Sequence, residues 1–583
     1  MGRINSVLFL LLILFNIILQ KEEVSNYSLD LDSKNWSYDS TNKVYYQIGV
    51  VYCTNPVDVN YQSLGIYIPE EYLVCSNVNE TSYDCKVNSS GKKGLYSATN
   101  APFVFPVETP GYSPMEAPTT YNYKTVSNFV SQGIIYIYAG CRGRYSGGES
   151  YSAGAPWGVT DLKSAIRFLR YNSKLLPGDL NKMYSFGMSG GGAQSCLMGV
   201  TGNSELFTKY LEDNGAALKD SEGNEIKDNI KGSQCWCPIT NLDTADAAYE
   251  WNMGQYFSED TRSEGTFTKQ LSIDLANKYY EYVNELKLKD PNGNVLTLSE
   301  LNKGTYYDYL LKIIEESLNN FLSDTTFPYD PSQQSDDDFP PGPPHERRLS
   351  TIYNTTQEYI ESLNSDYSWV TYDSSTNKAK ITSVGDFVKH CKSASKSVGA
   401  FDSFTKTQAE NYVFGVDGVN YAKHFSQIMS DLLTKNKEAY SELSNWDESY
   451  PDEYTQDLTK TDSIGKTIKE RVSIYNPMYY LSEYYEGYKK SDVADYFRIN
   501  TGIAQSDTAS VVEMNLYLAL LNYGKNAEFT TVWEKQHVEA ERTGDSEDNF
   551  IAWVNKIEKP SNGNGKSYIK LNILLIGLLL LLL

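Results

Sequence analysis

Residues 184–200, YSFGMSGGGAQSCLMGV, run from a short apolar segment into three consecutive glycines and then into a stretch with helical character. Within them Gly187-Met188-Ser189-Gly190-Gly191 spells Gly-x-Ser-x-Gly. Composition alone produces such a pentapeptide often enough that it carries little weight in isolation. The segments on either side decide whether Ser189 lies in a glycine-rich turn or is presented as a nucleophile.

Upstream, VYYQIGVVYC and SLGIYIPEEYLVC have the β-branched and aromatic content of strands. APFVFPVETPGYSP and GIIYIYAGCRGR are shorter and more continuously apolar, as strands buried on both faces are. In VTDLKSAIRFLRYN, Leu162, Ala165, Ile166 and Leu169 recur at helical spacing, and Thr160 or Asp161 stands where a cap belongs. MYSFGM then predicts a strand, AQSCLMGV a helix and IKGSQCWCPI another strand. Strands alternating with helices imply a mostly parallel sheet with helices on both faces, an α/β architecture. From about 240 to 493 the rhythm breaks into a mainly helical region, an insertion of the kind that forms a lid. One loop in it, YDPSQQSDDDFPPGPPHERRLS, holds prolines and the acidic run Asp336 to Asp338, which lacks the spacing of a calcium loop. The rhythm then resumes with DYFRINTGI, SVVEMNLYLALLNYG closed by Gly524, FTTVW and DNFIAWVNKI.

Ser189 therefore falls at a strand-to-helix junction with glycines where side chains would clash. Those are the mechanics of a nucleophile elbow, in which the Gly190 amide points at a forming oxyanion. A second amide is expected from Gly111 or Tyr112, in the loop after FVFPV. A serine needs a base, and the chain has four histidines. His345 lies in the proline-rich loop, and His390 and His424 lie in the insertion. His537 comes after the last predicted core strand, where an α/β-hydrolase carries its base. The acid should come after the preceding strand, and RINTGIAQSDTAS offers one carboxylate, Asp507.

The formal charge of −23 excludes a phosphate-binding surface, and with it nucleic acid as a partner. The histidines are too scattered for a metal centre, no phosphate-binding loop is present, and no cofactor is implied. A length of 583 residues calls for more than one core. Residues 1–20 read as a secretory signal, 21–239 as the first part of the hydrolase core, 240–493 as the lid, and 494–560 as the second part of the core. Residues 561–583 read as a GPI-attachment signal, with a poor C-terminal span as the alternative. The expectation is a secreted protein tethered to the outer cell surface. Release from cells by a phosphatidylinositol-specific phospholipase separates a lipid anchor from a span. Secretion makes disulfides available to the eight cysteines. Cys75 and Cys85 bracket a short loop and are the expected local pair, whereas Cys235 and Cys237 point to opposite strand faces. Asn26, Asn35, Asn79, Asn88 and Asn354 are glycosylation candidates.

YIPEEYL, AGCRGR, LPGDLNK, FGMSGGGAQSCLMGVTGN, CPITNLDTADAAYEWNMGQ, GAFDSF and the AERTG after His537 together resemble the bacterial-type (subtype B) tannases and related carboxylesterases. The order of the motifs covers nearly all of the chain after the leader. The resemblance implies an α/β-hydrolase with a large lid between nucleophile and acid, and hydrolysis of a galloyl or similar phenolic ester through an acyl-serine. It also implies recognition of phenolic hydroxyls by a lid lysine and glutamate, matched here by Lys396 and Glu410, and by an aspartate, matched by Asp507. The pattern departs at one point. Tannases carry two aspartates two residues apart after this strand, and Gln505 stands in the place of the first, beside the substrate. Either Asp507 takes over as the triad acid, or the chain is a catalytically impaired surface binding protein. A hydroxycinnamoyl ester of plant cell-wall material is the alternative substrate, and a peptidase of the same fold the remaining alternative.

Overall fold

The computed structural model describes residues 27–145, 153–331, 351–392, 394–416 and 421–559. The expected leader, Asn26, Asp336 to Asp338, His345 and the apolar tail lie outside the described residues. The chain divides into two compact units, residues 1–543 and 544–583. In the second, the described residues form the helix Ser546–Glu558, capped by the Asp545 side chain accepting from the Asp548 amide.

The first unit is built on one nine-stranded sheet. In chain order its strands are β1 (Ser37–Asp39), β2 (Val44–Val51), β3 (Ser63–Pro69), β4 (Phe103–Val107), β5 (Ile135–Ala139), β6 (Met183–Met188), β7 (Gly232–Trp236), β8 (Tyr496–Gly502) and β9 (Asn526–Val532). Across the sheet the order is β1-β2-β3-β5-β4-β6-β7-β8-β9. β1, β2, β3 and β5 pair antiparallel. From β5 onward every pairing is parallel. β4 is buried along its whole length and β5 nearly so, which is why they read as continuous apolar runs rather than as alternation.

The helix after β5 differs at its start from the sequence expectation. It is α1 (Trp157–Tyr171), begins directly after Pro156 and has no side-chain cap. Neither Thr160 nor Asp161 caps it, because both are buried inside it. Asp161 is instead held by Arg142, whose Nε and Nη2 donate to its two oxygens at 2.9 and 2.8 Å. That fully buried ion pair fastens the loop after β5 to α1. α2 (Gly190–Val200) is buried throughout. α3 (Ser510–Tyr523) ends where Gly524 takes the left-handed conformation at φ +90°.

The described residues between β7 and β8 are mainly helical, including the long helices Phe267–Leu286 and Thr305–Asp324, and among them Val370–Asp373 and Lys378–Ile381 form a hairpin. Cys75 and Cys85 are bonded across paired strands, as their spacing suggests. Cys235 joins Cys196 and so ties β7 to α2. The Cys237 thiol donates to the Val538 carbonyl at 3.1 Å. Asn35, Asn79 and Asn354 are exposed, but Asn88 is half-buried and its amide donates to the Glu71 carbonyl, so it is a poorer glycan acceptor.

Candidate active site

Ser189 occupies the step from β6 to α2 with φ 59° and ψ −122°, a conformation that costs a non-glycine residue about 1–3 kcal/mol. The surroundings enforce it. The Ser189 amide donates to the Trp236 carbonyl of β7, and the Ser189 carbonyl accepts from Ala193 in the first turn of α2, both at 2.9 Å. A Cβ on Gly191 would lie 2.0 Å from the Val107 carbonyl, and one on Gly190 would lie 2.5 Å from the Tyr112 amide nitrogen. Only hydrogen fits at either place, so the glycines allow the helix to start directly against the end of β4.

His537, in the loop after β9, brings Nε2 to 2.8 Å from Ser189 Oγ. The other ring nitrogen, Nδ1, is 2.6 Å from Gln505 Oε1. This corrects the expected assignment of the acid: Gln505, not Asp507, bonds to Nδ1. Gln505 is fully buried, and its Nε2 donates to Thr501 Oγ1 at 2.5 Å and to Glu513 Oε1 at 2.8 Å. With two oxygens facing the amide nitrogen, the amide oxygen faces the ring. The ring proton then sits on Nδ1, and Nε2 is left with a lone pair aimed at Ser189. Burial holds the His537 pKa below its ordinary value; Asp507 pulls it up and Lys396 pushes it further down. Asp507 is therefore within electrostatic reach of the ring.

The other described histidines stand elsewhere. His390 packs against Trp369 and lies 3.9 Å from an Asp366 oxygen. His424 is fully buried, stacked on Tyr454, and 2.7 Å from Asp402 through Nδ1.

Gly190 is the first residue of α2, where a helix leaves its amides unpaired. The loop after β4 folds beside it as the short turn Pro110–Tyr112, with Gly111 at φ 53°. The Tyr112 amide donates to the Thr109 carbonyl at 2.9 Å, which removes it as the expected second oxyanion donor. The Gly111 nitrogen lies 3.2 Å from where a Gly190 Cβ would be, on the same side of the elbow. Tyr112 contributes its hydroxyl, which donates to the Ile239 carbonyl at 2.8 Å.

Lys396, Glu410 and Asp507 converge from separate parts of the chain. Burial raises the Glu410 pKa, Lys396 and Arg144 oppose that, and Asp507 adds to it. The Lys396 ammonium lies 4.2 Å from the Phe401 ring centroid. Its backbone is fixed on both sides, the amide donating to Tyr249 Oη and the carbonyl accepting from Arg262 Nη1. Tyr249 in turn donates to the Ser506 carbonyl, one residue from Gln505 and Asp507. The turn between Lys396 and Glu410 is organised by Asp402 of GAFDSF, which accepts from the Phe425 and Ser426 amides and from Asn411 Nδ2.

Glu513, Thr501, Lys392 and Arg144 are not anticipated from the sequence. For Glu513 a signal exists, because it is the single carboxylate in the apolar run SVVEMNLYLALL. Arg144 closes the AGCRGR motif, where no role is expected of it.

The sheet order, the elbow and the serine–histidine contact define an α/β-hydrolase. Residues 99–272 match the BD-FAE family. The tannase of Fusobacterium nucleatum is 27% identical, with a TM-score of 0.65 over 92% of this chain and 100% of that one. The tannin acyl hydrolase of Lactobacillus plantarum is 24% identical, with a TM-score of 0.65 over 91% and 98%. A tannin acyl hydrolase in complex with ethyl gallate is 24% identical, with a TM-score of 0.63 over the same shares. Among curated proteins none matches the sequence. Within that class the chain is similar, over most of its length, to solved tannase structures.

Proposed function

We propose that the protein is a serine carboxylesterase that hydrolyses phenolic esters of the galloyl type. The observation that carries this reading is the 2.8 Å contact between His537 Nε2 and the oxygen of Ser189 at a strained elbow. Ser189 Oγ attacks the ester carbonyl carbon while Nε2 takes its proton, and the Gly190 amide, with Gly111 beside it, faces the resulting oxyanion. The carbon–oxygen bond to the alcohol then breaks, and the imidazolium returns the proton to the departing alkoxide. Water, deprotonated by Nε2, attacks the acyl-serine, releasing the carboxylic acid and the free Ser189 hydroxyl. Lys396, Glu410 and Asp507 are the groups suited to phenolic hydroxyls. Structures of tannin acyl hydrolases, one of them with ethyl gallate, support that substrate class.

Hydroxycinnamoyl esters are the second substrate class. The two disulfides support action outside the cytoplasm. Gln505, a neutral group where a carboxylate is usual, favours a second reading, a binding protein with a silent site. Both readings are separated by Ser189→Ala assayed against galloyl, feruloyl, acetyl and peptide substrates. Release should fall by about 10⁴-fold or more. Release at the wild-type rate from every substrate that the unmodified protein cleaves would end the esterase reading, and failure of the unmodified protein to cleave any would favour the silent site.

A further inference from the structure

A carboxylate beside a catalytic imidazole is symmetric, so either oxygen accepts the Nδ1 proton. A primary amide is not. Turned one way it accepts from Nδ1; turned the other way it donates to Nδ1. In the second orientation the ring proton moves to Nε2, which then faces Ser189 as a donor and takes no proton from it. Something must hold Gln505 the first way round.

Two groups face its amide nitrogen. Thr501 Oγ1 accepts from it and in turn donates to Glu513 Oε1 at 2.9 Å, and the same Glu513 oxygen accepts directly from the amide. A hydroxyl adapts to either orientation of a neighbouring amide, whereas an ionised carboxylate only accepts. Glu513 is therefore the group that makes the direction of the chain unique. Its other oxygen is buried without a hydrogen-bond partner. Lys392, also buried, donates to the Gln505 carbonyl at 2.8 Å and to Ser510 Oγ at 3.0 Å, and its charge acts on Glu513.

We propose that Glu513 is a positioning residue for His537, acting through the Gln505 amide to fix the ring tautomer and to supply the negative charge that the neighbouring side chain lacks. The assignment rests on reading Ser189 and His537 as nucleophile and base. The titratable and charged groups around Glu513 are Lys392 and the Cys237 thiol, and those around His537 are Asp507 and Lys396. Burial pushes the Glu513 pKa up and the Lys392 pKa down, each partly offset by the other.

The test is a reciprocal exchange measured on ester hydrolysis. Glu513→Gln removes the charge and lets both amides turn together, so kcat should fall by about 10²-fold with KM little changed. With the charge gone the imidazolium is less favoured, so the acid limb of kcat/KM should move to lower pH. The double variant Q505E/E513Q keeps volume and donor count but puts the carboxylate against Nδ1, and kcat should return to the wild-type level or above. Glu513→Gln with wild-type kcat and pH limb overturns the proposal. So does a double variant as impaired as E513Q with an unmoved limb, the signature of a merely structural role. If E513Q does not fold, the double variant carries the test alone, and a rate well below wild type for the folded double variant also overturns the proposal. Ser189→Ala is run alongside. An active S189A defeats the esterase reading itself, whereas an inactive S189A beside an unaffected E513Q defeats only this inference.

Discussion

At the scale of single residues, the site is governed by how His537 is charged. Burial disfavours the imidazolium, so the acid limb of kcat/KM should lie below the ordinary histidine value of 6.5. Two neighbours act on the ring with opposite sign. Lys396→Met removes a positive charge, so the ring pKa should rise and the limb move to higher pH. Asp507→Asn removes a negative charge, so the limb should move to lower pH. Each shift should be roughly 0.5–1 unit, read from the position of the limb rather than from its height, since both residues are also candidate substrate contacts. Movement of both limbs in the same direction would contradict the geometry. Ser189 and His537 are legible in the sequence because glycine spacing and chain order are local signals. The partner of Nδ1 is not. A search for the acid considers carboxylates, and Gln505 has none, so the search lands on Asp507 although it lies two residues too far along the loop.

At the scale of elements, strand, turn and helix form one rigid device around Ser189. β6 and α2 are held together by the glycines and by β7 through the Trp236 carbonyl, and the Cys196–Cys235 bond links α2 to β7 a second time. The bond closes a loop of 39 residues, for which the chain-entropy relation gives roughly 4 kcal/mol and engineered cases commonly deliver less. The C196S/C235S variant should therefore lose about 2–4 kcal/mol of stability, measured as a lower denaturant midpoint. An unchanged midpoint would mean that the bond adds nothing beyond the packing of α2. The alternation of strands and helices is readable from composition and period alone. The start of α1 is not. Asp161 looks like a cap in isolation, and the arginine that claims it, Arg142, lies 19 residues earlier, in the loop after β5. Burial of an ion pair is a tertiary event that no window of residues records.

At the scale of the molecule, the region between β7 and β8 carries Lys396 and Glu410 and is held together internally by buried polar links. Arg262 is one of them. It donates to Glu250 through Nε at 2.8 Å and to the Lys396 carbonyl through Nη1 at 3.0 Å, with both charged groups almost wholly buried. Arg262→Ala leaves Glu250 buried and unpaired, which should cost about 3–5 kcal/mol. It also frees the backbone carrying Lys396, so KM for a phenolic ester should rise more than kcat falls. The E250Q/R262M pair should recover most of the stability while KM stays high. Recovery of both together would show that Arg262 contributes only to folding.

β7 and β8 lie side by side in the sheet, yet residues 237–495 are synthesised between them. During translation β7 emerges with one edge bare and stays so until the ribosome has delivered Tyr496 and the rest of β8. Such an edge is a template for any other extended chain nearby, and closing so distant a pairing is slow by its nature. Recombinant production should accordingly be limited by aggregation of half-made chains more than by the stability of the finished fold. His537 follows β9, so the growing polypeptide lacks the Ser189–His537 contact until the last strand of the sheet has been made.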